Sequence, residues 1–254
     1  MDLDHSAITH PSFARTRESK PQEGVQTTRW QPYPDYRDSG VEWLGQVPAH
    51  WEVKRLKYVA TVNYDSLPET TSDDEEILYV DITNVDAIEG IVSKEPLTFG
   101  QAPSRARRCV QDGDVIFSTV RTYLRAIAPV VAPEPNLVVS TGFAVIRPAR
   151  KLAESFGAYV LTAPYLVDYV VAHSEGVSYP AITANELMTL PLALPPLPEQ
   201  RAIAAFLDRE TARIDDLVAA VEQAIERLRE YRTALISWAV TGRINVLQEA
   251  HHDP

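Results

Sequence analysis

The stretch GDVIFSTVRTYLRA, residues 113–126, places small hydroxyls, an aromatic ring and two arginines directly after a short apolar strand. Ser118, Thr119, Arg121, Thr122, Tyr123 and Arg125 on one loop have the chemistry to contact phosphate oxygens and base edges. Arg105, Arg107 and Arg108 form a second cationic cluster just upstream. The competing reading is that these arginines pair with the local acids Asp112 and Asp114, and composition does not choose between the two. SEGVSY, residues 174–179, is a third loop of the same kind. Ser178 offers a polar contact there, and Tyr179 can stack on a base or pack against the domain, packing being the commoner role.

Other spacings imitate catalytic sites. Asp35 followed by Glu52-x-Lys54 has the outline of the acidic pair plus lysine of Mg²⁺-dependent nucleases. Such a site needs its acids on adjacent strands of a rigid sheet, whereas this set sits on a Pro-rich lead-in. Nothing matches a nucleotide-binding glycine loop. His5, His10, His251 and His252 fall in tails, and His50 and His173 stand alone, so no three ligands converge by spacing. Cys109 is the single cysteine, which excludes an internal disulfide or a cysteine metal cage. These observations favour a chain with no metal or catalytic residues of its own.

The charge is uneven. Residues 1–50 carry five Lys/Arg against seven Asp/Glu, residues 51–199 twelve against nineteen, and residues 200–254 seven against nine, for a net −11 over 254 residues. No segment is net basic, so any contact with nucleic acid must come from local loops or from other subunits. There is no apolar run of membrane-spanning length and no apolar leader, so the expected compartment is the cytoplasm, with no membrane partner.

These loops need a scaffold. Residues 1–32 are polar and aperiodic and read as a mobile arm. A lead-in with three prolines then clamps onto the domain through Trp43, Leu44, Val47 and Trp51, and residues 53–62 read as a short helix or strand. Strands are expected at 76–83, 91–99, 115–120, 126–132 and 137–147, with 105–110 leading into the turn at 111–114. Helical spacing over 155–172 breaks at Pro164, and Thr183 with Glu186 forms a capping box opening a short helix. This predicts an α+β fold: one mixed α/β domain over 33–198, a long helix over 199–241 and a tail over 242–254.

The long helix carries the clearest periodicity. About 40 residues contain neither Gly nor Pro, which is about 60 Å of helix. Leu207, Ile214, Val221, Leu228 and Leu235 recur every seven residues, and Leu217, Ala224, Tyr231 and Trp238 form the second series. That is a coiled-coil seam. It either packs on its own domain or takes a partner helix, and the chain holds no second helix of like length. Pro198 is expected to precede the helix, Glu199 to favour its positive end and Gly242 to stop it. Glu222, Glu226, Arg229 and Glu230 read as a mixed solvated face.

Four stretches resemble the DNA-specificity (S) subunits of type I restriction-modification enzymes. DSGVEWLGQVPAHWEVKRLK (38–57) is similar to the start of a target-recognition domain, and GDVIFSTVRTYLRA to its middle strand and loop. GVSYPAITANELMTLPLALPPLPEQ (176–200) is similar to the domain's end, and residues 201–246 to the helical spacer. The resemblance implies a subunit without catalytic residues that reads half of a split double-stranded DNA site, with spacer helices that pair antiparallel, act as a ruler and dock methylation (M) subunits. It places S-adenosylmethionine, ATP and Mg²⁺ on the M and restriction (R) subunits. Family members carry two recognition domains and two spacers, whereas this chain has one of each. That points to a homodimer, to pairing with another half S chain, or to a truncated cassette. A protein-only decoy that occupies M subunits without reading DNA is the alternative function.

Overall fold

The computed structural model describes residues 31–176 and 179–249. Residues 1–30 of the expected arm, residues 250–254 of the expected tail and Ser178 lie outside the described residues. The lead-in forms β1 (Tyr36–Asp38), β2 (Gln46–Pro48), β3 (Glu52–Arg55) and β4 (Ala60–Val62). Then come β5 (Glu76–Val80), β6 (Val85–Asp86), β7 (Gly90–Ile91), β8 (Glu95–Thr98), β9 (Ala106–Cys109) and β10 (Val115–Ser118). β11 (Ile127–Pro129), β12 (Leu137–Ser140) and β13 (Phe143–Pro148) precede α1 (Glu154–Thr162), α2 (Pro164–Ala172) and α3 (Ala184–Thr189). β14 (Pro191–Leu194) leads into α4 (Leu197–Val240), and α5 (Val246–Glu249) follows.

Two four-stranded sheets form the body, ordered β11-β10-β13-β4 and β8-β5-β12-β9. Within them β5 and β12 run parallel and the other pairs antiparallel. The two-residue strand period assigns the faces. Val115 and Phe117 of β10, with Ala144 and Ile146 of β13, meet α1 and α2 through Phe156, Val160, Leu166 and Val170. Ile116, Phe143 and Val145 point the other way, against Val80, Leu137 and Val139 of the second sheet. β10 is therefore buried on both faces, which is why it is apolar without alternation. Ile77, Tyr79 and Val138 cover the outer side of the second sheet.

One buried ion network ties the sheets to the loops. Arg147 on β13 donates from Nε and Nη2 to Asp114 at 2.8 and 2.9 Å, and from Nη1 to Asp65 at 2.8 Å. The Asp114 side chain has no solvent exposure. Its bonds to Arg147 raise the guanidinium pKa against the opposing effect of burial, with Asp65 adding to them.

The lead-in is held at both ends. Trp43 stacks on Tyr169 and Tyr165 of α2, at 4.8 and 5.7 Å between ring centroids, and Val47 is buried. At the other end, the Glu199 carboxylate accepts from the Tyr33 hydroxyl at 2.6 Å and the Trp51 indole at 3.0 Å, and pairs with His50 Nε2 at 2.8 Å. Gln200, fully buried, fixes the opposite side of the same turn. Its oxygen accepts from Ala153 N, and its amide donates to the Lys151 and Pro195 carbonyls. About two turns further, Tyr159 donates to Asp208 at 2.6 Å.

α4 begins at Leu197, two residues before the expected start, with Pro198 inside its first turn. Proline is tolerated there because its missing N–H has no intrahelical partner in any case. From Thr211 to Thr233 every residue is exposed. The reading in which the long helix packs on its own domain is thus corrected: contact ends within the first turns, and Leu207 alone of the seam lies at the domain's edge, half-buried. No single helix among the described residues is long and apolar enough to cross a membrane.

Arg147→Ala leaves the buried Asp114 carboxylate without its cation and should cost about 3–5 kcal/mol in urea unfolding. Burial alone would raise the Glu199 pKa, but the bonds from Tyr33, His50 and Trp51 outweigh it and hold the value below the ordinary carboxylate one. A depressed carboxylate stabilises the fold above its unfolded-state pKa, and that contribution is lost as pH falls through the folded-state value. The protection of amides 200–206, taken as the observed hydrogen-exchange rate relative to the intrinsic rate at each pH, should therefore fall across that acidic window in the wild type, and Glu199→Gln should flatten the response.

Candidate nucleic-acid interface

At the ends of β9, β10 and β12, three loops are sewn together by main-chain hydrogen bonds. Thr141 N donates to Arg105 O at 2.8 Å, Thr119 N to Gly142 O at 2.8 Å, and Ile182 N to Thr119 O at 2.9 Å. Val120 bridges Ala181, and Thr122 N reaches Pro180 O. Gly142 makes the crossing close: a Cβ there would lie 3.2 Å from Ile82 and 3.3 Å from Val120, so those side chains would have to shift by a few tenths of an ångström. The result is a continuous rim running from Arg105 through 141–142 and 119–125 to 179–182.

The sequence-predicted residues divide around this rim. Arg121 and Arg125 flank a single 3₁₀ turn, Thr122–Leu124, and both adopt the left-handed region with φ of 52° and 53°. For arginine that conformation costs on the order of 1 kcal/mol or more each, so the surrounding bonds must hold it. They do: Thr122 is buried, and its hydroxyl donates to Ser174 Oγ at 2.8 Å, which donates in turn to Val170 O. Arg125 pairs with Asp168 of α2 at 2.6 Å. Arg121 lies over the Tyr179 ring, 4.9 Å from its centroid, and meets no carboxylate among the described residues. Tyr123 is half-exposed and Tyr179 more so, both at the loop tips. Packing does not consume Tyr179; its ring supports Arg121.

Four expected contact residues are placed elsewhere. Ser118 is buried, with its hydroxyl donated to Val120 O, so it presents no surface. Thr119 gives its hydroxyl to Gly142 O at 2.9 Å and braces the rim. Arg108 donates Nε to Phe143 O at 3.1 Å and staples β9 to the neighbouring sheet, where burial lowers its pKa. Arg107 lies over Phe99 at 4.4 Å. Of that upstream cluster Arg105 is the residue on the rim, exposed and 3.3 Å from Asp81.

The pairing acids expected from proximity in sequence are also corrected. Asp114 belongs to Arg147, and Asp112 accepts from Ala132 N. The acids that tune the rim are Asp81 and Asp168, distant in sequence from the arginines they meet. Nearby periodicity could not have exposed them. Glu52 pairs with Lys54 on β3 and lines the groove beside the root of α4 with His50 and Lys151. Among the described residues no three His, Cys, Asp or Glu side chains are placed to share a metal ion.

The described residues form an α+β body with a braced, arginine-bearing rim, carried on a long helix whose apolar seam is exposed. Residues 48–227 match the family described as the type I restriction modification DNA specificity domain, and the chain belongs to that family. The putative type I restriction enzyme MjaX specificity subunit of Methanocaldococcus jannaschii is 28% identical over 80% of this chain and 45% of its own length. The EcoBI specificity subunit of Escherichia coli is 35% identical over 32% of this chain and 17% of its own length. The crystal structure of the HsdS subunit from Thermoanaerobacter tengcongensis shares 34% identity with a TM-score of 0.60, over 67% of this chain and 44% of that one. This chain spans less than half the length of the relatives it matches most extensively.

Arg121→Gly tests the strain. Glycine takes a positive φ freely, so the variant should unfold at equal or higher temperature, gaining up to about 1 kcal/mol. The same change at Arg105, whose carbonyl holds Thr141, should bring no such gain.

Proposed function

We propose that this chain is the sequence-reading part of a type I restriction-modification assembly. It has no catalytic residue of its own, and it directs methylation and cleavage carried out by M and R subunits. The observation that carries the reading is Arg121. This guanidinium is held in a strained backbone, backed by an aromatic ring, free of carboxylates and at the tip of a rigid rim, in a chain of the DNA-specificity family. Preorganised arginine forks suit bidentate contacts to guanine edges or to phosphate. Arg105 and Arg125, each beside one acid, suit phosphate contacts that set the register of the protein on the duplex. Tyr123 and Tyr179 add apolar and hydroxyl contacts, and Ser178, next to Tyr179 in the sequence, is a further candidate contact. S-adenosylmethionine, ATP and Mg²⁺ reside on the partner subunits in this reading.

The stalk supplies the pairing. Ile214, Leu217, Val221, Ala224, Leu228, Tyr231, Leu235 and Trp238 form an exposed seam, with Leu217 64% and Leu228 66% exposed. Charge along α4 is segregated. Residues 208–226 hold six acids and two arginines, and residues 227–240 hold Arg227, Arg229 and Arg232 against Glu230 alone. Two copies in parallel would set like charge beside like. Two copies antiparallel set the acidic half of each against the basic half of the other. A homodimer thus satisfies the seam and predicts a palindromic split site. Pairing with another half S chain uses the same surface.

The net charge of −11 favours the second reading, a decoy that binds M subunits without reading DNA. Methylation of host DNA by M subunits, with and without this chain, separates the two. The proposed role requires site-specific adenine methylation that depends on the chain, and its absence despite M binding would establish the decoy. In a competent complex, Arg121→Ala should weaken site binding by about 1–3 kcal/mol, and Arg105→Ala should lower the salt slope by about one unit. Leu228→Asp should yield monomers by light scattering; a persistent dimer would exclude the seam as its interface.

A further inference from the structure

We infer that Glu199 is a positioning residue for half-site spacing: its clamp on Tyr33, His50 and Trp51 sets the angle at which the recognition domain stands on the stalk. The inference rests on the DNA-reading proposal for its consequence, and on the structure for its geometry.

The root of α4 is held from opposite sides. Gln200 ties it to the 151–153 turn and to Pro195, and Tyr159 ties Asp208 to α1. Both of those contacts run to the carboxyl-terminal part of the domain, within about 50 residues of chain. Glu199 alone reaches back across the fold, 166 residues to Tyr33 and 148 to Trp51. The Tyr33 ring packs edge-on to Trp51 at 5.9 Å and tilted to His50 at 5.6 Å, so the three donors form one cluster around a single carboxylate. The same lead-in is fastened at its other end by Trp43 stacked between Tyr165 and Tyr169 of α2. α2 also carries Asp168, the partner of Arg125 on the rim. A short path of direct contacts therefore joins the stalk root to the rim: Glu199, the lead-in, α2, Arg125.

Leverage makes this joint matter. Beyond Thr211 no domain contact steers the helix. A tilt of about 6° at the root displaces a point about 33 Å along the helix by about 3.4 Å, one base-pair step. The helix length alone does not make a ruler; the ruler also needs a stiff mounting. That mounting combines the bonds of Gln200 and Asp208 and the apolar packing of Ile203 and Ala204 with the Glu199 cluster, which adds the side-chain tie to the lead-in.

The test uses the full chain. In a Cys109→Ser background, spin labels at Glu69→Cys on the domain and Asp216→Cys on the stalk, diluted into unlabelled chain, report the domain-to-stalk distance by pulsed electron resonance. Glu199→Ala should broaden the distribution at least twofold. Glu199→Gln keeps Oε1, the atom that accepts from both Tyr33 and Trp51, and should restore the wild-type width. Tyr33→Phe, which leaves the helix untouched, should broaden it in part. An unchanged width in Glu199→Ala and in Tyr33→Phe overturns the inference.

A selection from a random duplex library, with M subunits present, reads the consequence. The wild type should enrich two half-sites at one spacing. Glu199→Ala should enrich the same half-sites with discrimination against a one-base-pair change in spacing reduced about tenfold. The same single spacing in that variant would also overturn the inference. If the wild type enriches no half-site, the DNA-reading proposal fails, and the distance measurement still decides the joint.

Discussion

An apolar seam from Ile214 to Trp238 has no cover among the described residues, and the rest of the molecule is arranged around that constraint. Burying a leucine or isoleucine side chain contributes about 1.5–3 kcal/mol, so a seam of this length amounts to a large favourable term that the proposed helix pairing would realise. The body shows the contrast. Its strands satisfy their apolar faces internally, with Val115 and Phe117 against helices and Ile116 against the second sheet. A chain that closes one core so completely and leaves another wholly open is divided between folding and assembly. The segregated charge on α4 adds direction to that open surface, since apolar contact alone does not distinguish parallel from antiparallel.

The rim solves a different problem, rigidity without commitment to particular side chains. Its braces from Arg105 to Pro180 are mostly main-chain bonds, which any residue but proline can make. The side chains that point outward, Arg105, Arg121, Tyr123 and Tyr179, do not hold the loops together. Exchanging them would alter what the rim contacts and leave its path intact. Thr122 and Gly142 are the exceptions. One is a buried hydroxyl that ties the loop to α2, and the other sits where a Cβ would press on Ile82 and Val120.

What was legible in the sequence was local. The capping box of Thr183 and Glu186, the break at Pro164 and the seven-residue seam all follow from spacings of a few residues, and each appears in the structure. The lead-in anchors Trp43, Val47 and Trp51 were legible as aromatics and apolar residues in a Pro-rich stretch that needs a surface to lie on. The site was only half legible. Loop composition identified the 113–126 stretch, but not that Ser118 turns inward or that Arg108 is spent on a carbonyl, because both depend on which strands become neighbours. Asp81 and Asp168 were invisible for the same reason. Glu199 was legible as a helix-start acid, and its three long-range donors were not. The charge gradient on α4 is the one feature that the sequence displays openly and that a residue-by-residue reading of its solvated face misses.

The acidic net charge fits this division of labour. Counterion release supplies most of the sequence-independent affinity for DNA, and it scales with the number of phosphates neutralised. A domain whose rim offers a few arginines, two of them beside carboxylates, neutralises few. In the proposed role, one such domain would bind weakly and dwell little on wrong sequence. Two domains held on a stiff mounting would convert the second encounter into an intramolecular one, with an effective concentration that rises only when the linker geometry matches the site. A flexible joint would spread that concentration over many spacings and lose both affinity and discrimination. Weak individual contacts therefore make the stalk root as important to specificity as the rim, and they give physical sense to three donors converging on one carboxylate far from any base.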